Sequence, residues 1–324
     1  MATIYLNKKN LFKNLQKISL INPNILAVIK DNAYGHGIIT ISKLLKEFGI
    51  KKVCVRSNQK AEIIRGFFEE ILIFNPTTGR NGTNISYAIN SLKQLKKNRH
   101  PYIHLKFDTG MHRNGILIEE IDEVFEIILK KNFEIRGVFT HFCCSEEENC
   151  DTFIQYEKFK KIKNIIENFC EKNSIKKPYF HIANSTALNK LPDTFDYVRP
   201  GIAIYGGIEG YEPVMSLVGN VVSVREIEND GVGYNKNFFS KEKVILSTVD
   251  VGYADGIPYF KNGCKLKDTR AVGKISMDYM SVLGEFKKEV VIFDDVKEFV
   301  KNFDTITYDI LVKMSPRIKR VVVE

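Results

Sequence analysis

The sequence predicts an α/β fold: a (β/α)8 TIM barrel followed by a C-terminal, mainly-β domain. Three observations carry this. Short β-rich apolar runs alternate with longer segments of helical period through the first two thirds of the 324 residues. After about Gly210 the long amphipathic segments stop, and β-rich runs with turn signals take over. The chemically distinctive residues, Lys30 first among them, fall just beyond the ends of the apolar runs, where a barrel keeps its working groups.

The runs predict barrel strands at Ile25–Ile29, Val53–Val55, Ile71–Phe74, Ile85–Ala88, His104–Phe107, Gly137–Phe142, Tyr179–Ile182 and Asp196–Val198. The clearest intervening helix is Asp151–Glu171, with Phe153, Ile154, Phe159, Ile162, Ile165, Ile166 and Phe169 as its apolar face and Asp151 or Thr152 as its N-cap. A doubly wound open sheet is the alternative, but no GxGxxG turn follows the first strand. The β domain is expected to hold strands at Val214–Val224, Lys243–Val251, Arg270–Ile275, Tyr279–Leu283 and Glu289–Phe293. The switch in pattern puts the domains at 1–210 and 211–324, with the first few residues able to join the β domain.

Composition narrows the class. A 44% hydrophobic and 27% charged chain is an ordinary globular protein. The net charge of +9 is lysine excess scattered in pairs such as Lys51-Lys52 and Lys130-Lys131, with no basic stripe interleaved with aromatics, so no nucleic-acid partner is expected. Six cysteines (Cys54, Cys143, Cys144, Cys150, Cys170, Cys264) form no CxxC pair and no zinc-ligand spacing; reduced structural thiols and no metal site are expected. Met1 to Asn10 has no apolar signal core, and no run of about 18 apolar residues occurs, which predicts a cytoplasmic protein without a membrane partner.

The residues beyond the strand ends suggest chemistry. Lys30 and Tyr34 follow the first strand, and Lys106 closes the fifth, with Asp108 to Arg113 just after it. His141 lies near the end of the sixth strand, Asn184-Ser185 follows the seventh, and Arg199-Pro200-Gly201-Ile202 follows the eighth. A lysine at the mouth of a buried strand is desolvated, which lowers its pKa and suits it to Schiff-base chemistry. A hydroxyl after strand seven and backbone N–H groups at a glycine after strand eight match the usual barrel phosphate site. Together they describe a pocket for pyridoxal phosphate. Singly each is ordinary: Lys30 could be a strand-end lysine reaching solvent, Ser185 a helix cap, and His141 a satisfied core imidazole.

The series AVIKDNAYGHG, KFDTGMHRNG, THFCCSEE, HIANSTA, VRPGIAIYG, VGYADGIP and GKISMD resembles, in order, the motifs of alanine racemases, and the likeness runs over essentially the whole chain. The resemblance implies that Lys30 holds pyridoxal 5'-phosphate as an internal aldimine and serves as one catalytic base. It assigns the phosphate to Tyr34, Ser185, Gly201, Ile202 and the backbone near Asn184. Arg199 would face the pyridine nitrogen, with His141 and His181 in the network around it. Tyr253, in Gly252-Tyr253-Ala254-Asp255-Gly256, would be the second base and reach the cofactor of the other subunit, so that a homodimer shares its active sites. Arg113 would contact the substrate carboxylate, Met277 and Asp278 would line the entrance, and Lys106 matches a lysine that some members carry as a carbamate. Lys274 replaces the arginine usual in its motif, and Pro316 stands in a C-terminal stretch where members often carry a tyrosine.

The expected activity is therefore interconversion of L- and D-alanine by a two-base mechanism, supplying D-alanine for peptidoglycan. A broad-spectrum amino-acid racemase is the nearest rival. A pyridoxal-phosphate-dependent decarboxylase of basic amino acids would bring a Gly-rich phosphate loop and a cysteine-bearing C-terminal motif, and neither is found. A non-catalytic cofactor-binding barrel would have no need of the chain through GYADG and SMDYM.

Overall fold

The computed structural model describes residues 2–77, 82–147 and 151–324; Cys150 lies outside them. The chain forms two compact units that interleave in sequence. One comprises Leu15–Lys30 and Ser42–Gly201, the other Met1–Asn14, Asp31–Ile41 and Ile202–Glu324.

The first unit is the barrel. Leu26–Val28, Lys52–Val55, Glu70–Ile73, Ile85–Ile89, Tyr102–Lys106, Glu134–Phe139 and Tyr179–His181 pair in that order, every pair parallel. Nearly all their residues are buried, as strands covered on both faces must be. The expected eighth strand is only a short extended stretch. Val198 bridges Ile25, and the ring closes through Leu26 N–H to Val198 C=O, Val28 N–H to Pro200 C=O, and Tyr197 N–H to Phe180 C=O. Asp196 is not part of any ladder; its carboxylate accepts the Phe180 N–H at 2.7 Å.

The long helix is Thr152–Lys172, and its buried face differs from the expected one. Gln155, Tyr156, Phe159, Ile162, Ile166 and Phe169 are buried, spaced every three or four residues, whereas Phe153 and Ile154 are 58% and 57% exposed. Hydrophobicity marks these two as core candidates, but the helix register turns them to solvent. The inward face packs with Leu105, Phe107, Val138 and Phe180 in one core cluster.

The second unit is built on one sheet of eight strands among the described residues. In space its order is Cys264–Lys265, Arg270–Val272, Met280–Leu283, Val244–Val249, Met215–Ile227, Thr3–Asn7 and Lys319–Val323, with Glu289–Phe293 also on Met215–Ile227. Thr3–Asn7 runs antiparallel to Met215–Ile227 and parallel to the C-terminal strand, burying Ile4 and Leu6 completely on one face. A separate hairpin pairs Asp230–Val232 with Phe238–Ser240. No described helix is long and apolar enough to cross a membrane.

Four of the cysteines, Cys54, Cys143, Cys170 and Cys264, are free thiols, but Cys144 is disulfide-bonded, against the expectation of an all-reduced set.

Candidate active site

In the barrel unit Lys30 follows the first strand directly. Ile29 donates its N–H to Cys54 C=O at 2.9 Å, which carries the parallel pairing up to the lysine. Lys30 itself is half-buried. Just beyond the sixth strand, Thr140 and His141 lead into the following loop.

Arg199 is the most constrained of the expected residues. It is 4% exposed, and its guanidinium is fixed at four points. Nη1 donates to His181 C=O and to His181 Nδ1, both at 2.9 Å. Nη2 donates to Thr140 C=O at 2.7 Å and to His141 Nδ1 at 3.3 Å. Phe139 lies 5.1 Å below the guanidinium carbon and stacks on His181 at 4.9 Å. Guanidinium has only donors, so both Nδ1 atoms facing it carry lone pairs. Burial, then the charges of Arg199, Arg113, Lys106 and Lys30, push the His141 imidazole well below its ordinary range. Burial and Arg199 do the same at His181. Both rings are neutral acceptors.

The same four cations define the electrostatics. Lys30, Lys106, Arg113 and Arg199 all act on one imidazole, a concentration of positive charge suited to an anion. Lys106 is 5% exposed, and burial together with Arg113 and Arg199 pushes its amine down to about 8. Its Nζ donates to Asn114 Oδ1. Asp108 accepts the N–H groups of Gly110, Met111 and His112, shaping the loop that carries the exposed Arg113.

The turns after the last two strand positions are joined to each other. Ser185 Oγ accepts the Gly201 N–H at 2.9 Å. Asn184 Oδ1 accepts from Ala187 N–H at 3.0 Å and from the hydroxyls of Ser145 at 3.0 Å and Thr186 at 3.2 Å. The Asn184 side-chain oxygen therefore builds the turn.

Tyr34, Ile202, Tyr253, Met277 and Asp278 belong to the other unit. Residues Asp31 to Tyr34 form a left-handed helical turn, with φ of 49°, 58°, 54° and 51°. L-residues adopt this conformation at a cost of about 1 kcal/mol or more each, so surrounding structure must enforce it. Gly37 N–H bonds Asn32 C=O at 2.9 Å, Asn32 Oδ1 accepts the Ile38 N–H at 3.0 Å, and Arg320 Nη2 donates to Gly35 C=O at 2.9 Å. Tyr34 is buried, with Tyr205 at 5.2 Å and Tyr308 at 6.1 Å. The stretch around Pro316 lacks a tyrosine, but the helix just before it supplies Tyr308, which no motif singled out. Ile202 opens a buried 3-10 turn, Ile202–Tyr205.

Tyr253 opens another 3-10 turn, Tyr253–Asp255, pinned to the Met277 segment. Tyr253 N–H bonds Ser276 C=O at 3.1 Å and Ala254 N–H bonds Met277 C=O at 2.9 Å. A Cβ on Gly252 would lie 2.0 Å from Met277 O, so the glycine of GYADG is required by close backbone approach. Tyr253 is 41% and Met277 54% exposed; Asp278 is exposed beside them. These three expected residues are thus held together on one surface of the second unit.

Sequence reasoning missed Glu70 and His104. The Glu70 carboxylate is buried and accepts from Lys52 Nζ at 2.8 Å, Tyr179 Oη at 3.0 Å, Ser86 Oγ at 2.7 Å and His104 Nε2 at 3.0 Å. His104 lies two residues before Lys106 on one strand, the spacing that places both on the same face. That parity was the available signal.

Comparison with known proteins completes the description. The model of the alanine racemase N-terminal domain matches residues 6–209, and that of the C-terminal domain matches residues 214–322. An alanine racemase of a Nitratiruptor species is 40% identical over 333 residues, covering 99% of each chain. One of Campylobacter concisus is 41% identical over 337 residues, again with 99% of each covered. Among solved structures, alanine racemase of Clostridium difficile 630 superposes with a TM-score of 0.88 at 26% identity, covering 99% of this chain and 95% of that one. The alanine racemase from D-cycloserine-producing Streptomyces lavendulae gives 0.85 at 25% identity, over 100% and 97%.

Proposed function

The chain belongs to the alanine racemase family, an isomerase family, and from that premise we propose a homodimeric, pyridoxal 5'-phosphate-dependent enzyme that uses Lys30 and Tyr253 as its two bases. Its D-alanine would serve peptidoglycan synthesis in the cytoplasm. The observation that carries the reading is the buried Arg199, fixed by His181, Thr140 and His141 beyond the strand ends, with Ser185 and Gly201 bonded to each other in the turns around it.

The donor set fits the cofactor. Ser185, with one lone pair engaged by Gly201 N–H, is a hydroxyl donor for phosphate, joined in this reading by Tyr34, Gly201, Ile202 and the Asn184 backbone. Lys30 would hold the cofactor covalently, and His141 and His181 would brace Arg199 beside its ring. When bound, the cofactor supplies the electron sink that makes the α-proton of an amino acid acidic. Arg199 cannot yield its own proton, so it would leave a ring nitrogen set against it unprotonated and would weaken the sink, favouring return of the proton over decarboxylation or transamination.

Racemisation takes a proton from one face of the α-carbon and returns one to the other, so two bases must stand on opposite faces. Lys30 serves one face. Tyr253 of a second copy serves the other, consistent with its exposure on the surface it shares with Met277 and Asp278, which would line the entrance. Arg113 receives the substrate carboxylate. Lys106, whose amine is pushed down to about 8, is reactive enough toward carbon dioxide to carry a carbamate that would orient Arg113.

Purified protein should interconvert L- and D-alanine and show a visible absorbance band that Lys30→Ala abolishes. Tyr253→Phe should lower the rate roughly 10²–10⁴-fold. Full rate in both directions with Tyr253→Phe would remove the two-base assignment. Faster turnover of serine or lysine than of alanine would shift the substrate to a broader class.

A further inference from the structure

We infer that Glu70 and His104 are positioning residues for Arg199: through a one-way chain of hydrogen bonds they hold His181 in the tautomer whose Nδ1 accepts from the guanidinium. The inference rests on the reading that Arg199 faces the cofactor ring.

Donor polarity fixes the chain from both ends. Arg199 Nη1 can only donate, and it lies 2.9 Å from His181 Nδ1, so that nitrogen carries a lone pair. The neutral His181 ring then bears its proton on Nε2, which lies 3.1 Å from His104 Nδ1. That nitrogen must in turn be a lone pair, which puts the His104 proton on Nε2, 3.0 Å from Glu70 Oε1. An ionised carboxylate can only accept, so the far end demands the same order of protons as the near end. Reversing any one ring would set two N–H groups, or two lone pairs, against each other.

Burial makes this order binding. His104 and His181 are both fully buried and Glu70 is 5% exposed, so solvent cannot repair a mismatched pair. Burial pushes both imidazoles down, which keeps them neutral. Burial would raise the Glu70 carboxyl, but the His104 hydrogen bond and the Lys52 charge outweigh it and hold it well below the usual carboxylate range. Tyr179 and Ser86 complete its coordination. The anion at one end of the chain is therefore as permanent as the cation at the other.

In a merely structural role, Glu70 would be the partner of Lys52 and nothing more. The tautomers of His104 and His181 separate the two roles. They are read by nitrogen NMR of the full-length protein labelled at histidine nitrogens, with and without added pyridoxal phosphate, alongside kcat and KM. The native protein should show both rings protonated at Nε2. In Glu70→Gln the Lys52 ammonium and the Tyr179 hydroxyl, both on Oε2, hold the carboxamide oxygen and turn its NH2 toward His104 Nε2. That opposes the order that Arg199 imposes, so Nδ1-protonated signals should replace part of the Nε2-protonated ones. The kcat should then fall roughly tenfold, the lower end of losses typical when an outer partner of a functional histidine is removed, with KM little changed. A native His181 protonated at Nδ1 overturns the inference without any variant, which covers the case of a Glu70→Gln protein that does not fold. A folded Glu70→Gln protein that keeps both Nε2 protons also overturns it, whatever its kcat. Failure of the underlying reading has a different signature: native protein with no visible band, or Lys30→Ala with full activity.

Discussion

The Gly201 amide donates to the Ser185 hydroxyl at 2.9 Å, tying together the turns that follow the seventh and eighth strand positions of the barrel. One interaction thus shapes two turns and directs the serine proton away from Gly201.

Ser185→Ala should therefore do two things. On the proposed reading it removes a phosphate donor, and it leaves the buried Gly201 N–H without its acceptor. Cofactor affinity should fall about tenfold, equivalent to 1.4 kcal/mol, and stability by about 1–3 kcal/mol. Equilibrium dialysis with pyridoxal phosphate and urea unfolding read the two effects; unchanged affinity would take Ser185 out of the phosphate site.

Gly35 and Gly49 offer a controlled comparison of backbone strain. Both have positive φ, +79° and +99°, but a Cβ on Gly35 would lie 1.9 Å from Leu311 O, whereas one on Gly49 meets nothing within 4 Å. Gly49→Ala should cost about 1 kcal/mol, the strain of the conformation alone. Gly35→Ala should cost about 3 kcal/mol or more, because backbone must move as well. Equal losses in urea unfolding would mean that the left-handed turn yields without disturbing the Leu311 helix.

His36 predicts acid sensitivity. Its ring is fully buried and stacked on Tyr205 at 4.4 Å, and Nδ1 donates to Tyr34 C=O at 2.8 Å. Burial, against the pull of those backbone bonds, pushes it down to about 4 from 6.5. Between pH 6.5 and 4 the unfolded chain binds a proton that the folded chain rejects, so stability falls as pH falls, by about 3 kcal/mol across that window. Replacing the ring in His36→Asn removes this dependence, so the wild type's advantage over the variant at pH 7 should shrink by about that amount at pH 4. A pH-independent difference in urea unfolding would assign the acid sensitivity to other buried groups.

Lys106, pushed down to about 8 by burial, Arg113 and Arg199, has a substantial neutral fraction at mildly alkaline pH. The neutral amine can add to carbon dioxide with loss of one proton; counted from the ammonium form two protons leave, and a cation among arginines becomes an anion. Carbon NMR with labelled bicarbonate should show a carbamate signal that grows with pH and is missing in Lys106→Met. A signal that survives Lys106→Met belongs to another lysine.

Much of the candidate site was legible in the sequence, because the chemistry proposed for it depends on residue types that stand out at strand ends. Lys30, Arg199 and Ser185 are of this kind. Glu70 was not, since the expected strand began at Ile71 and left the acid outside, while the ladder starts one residue earlier and turns Glu70 into the interior. The exposure of Phe153 and Ile154 was illegible for a related reason: hydrophobicity identifies a helix face only to within a residue or so, and packing chooses among the registers.

By itself the sequence determined the alternation of barrel elements, the change to a β-rich C-terminal part and the candidate reactive residues, because periodicity and motifs are local properties. Only the tertiary structure decided how distant segments pair. It set Thr3–Asn7 between Met215–Ile227 and the C-terminal strand, assigned Asp31–Ile41 to the β unit, and reduced the eighth barrel strand to the bridge between Ile25 and Val198. It also joined Glu70, His104, His181 and Arg199 in one line of protons. The physical reason is the same in each case: a strand or a buried polar group must find a complementary partner, and neither local propensity nor spacing specifies which remote residue will supply it.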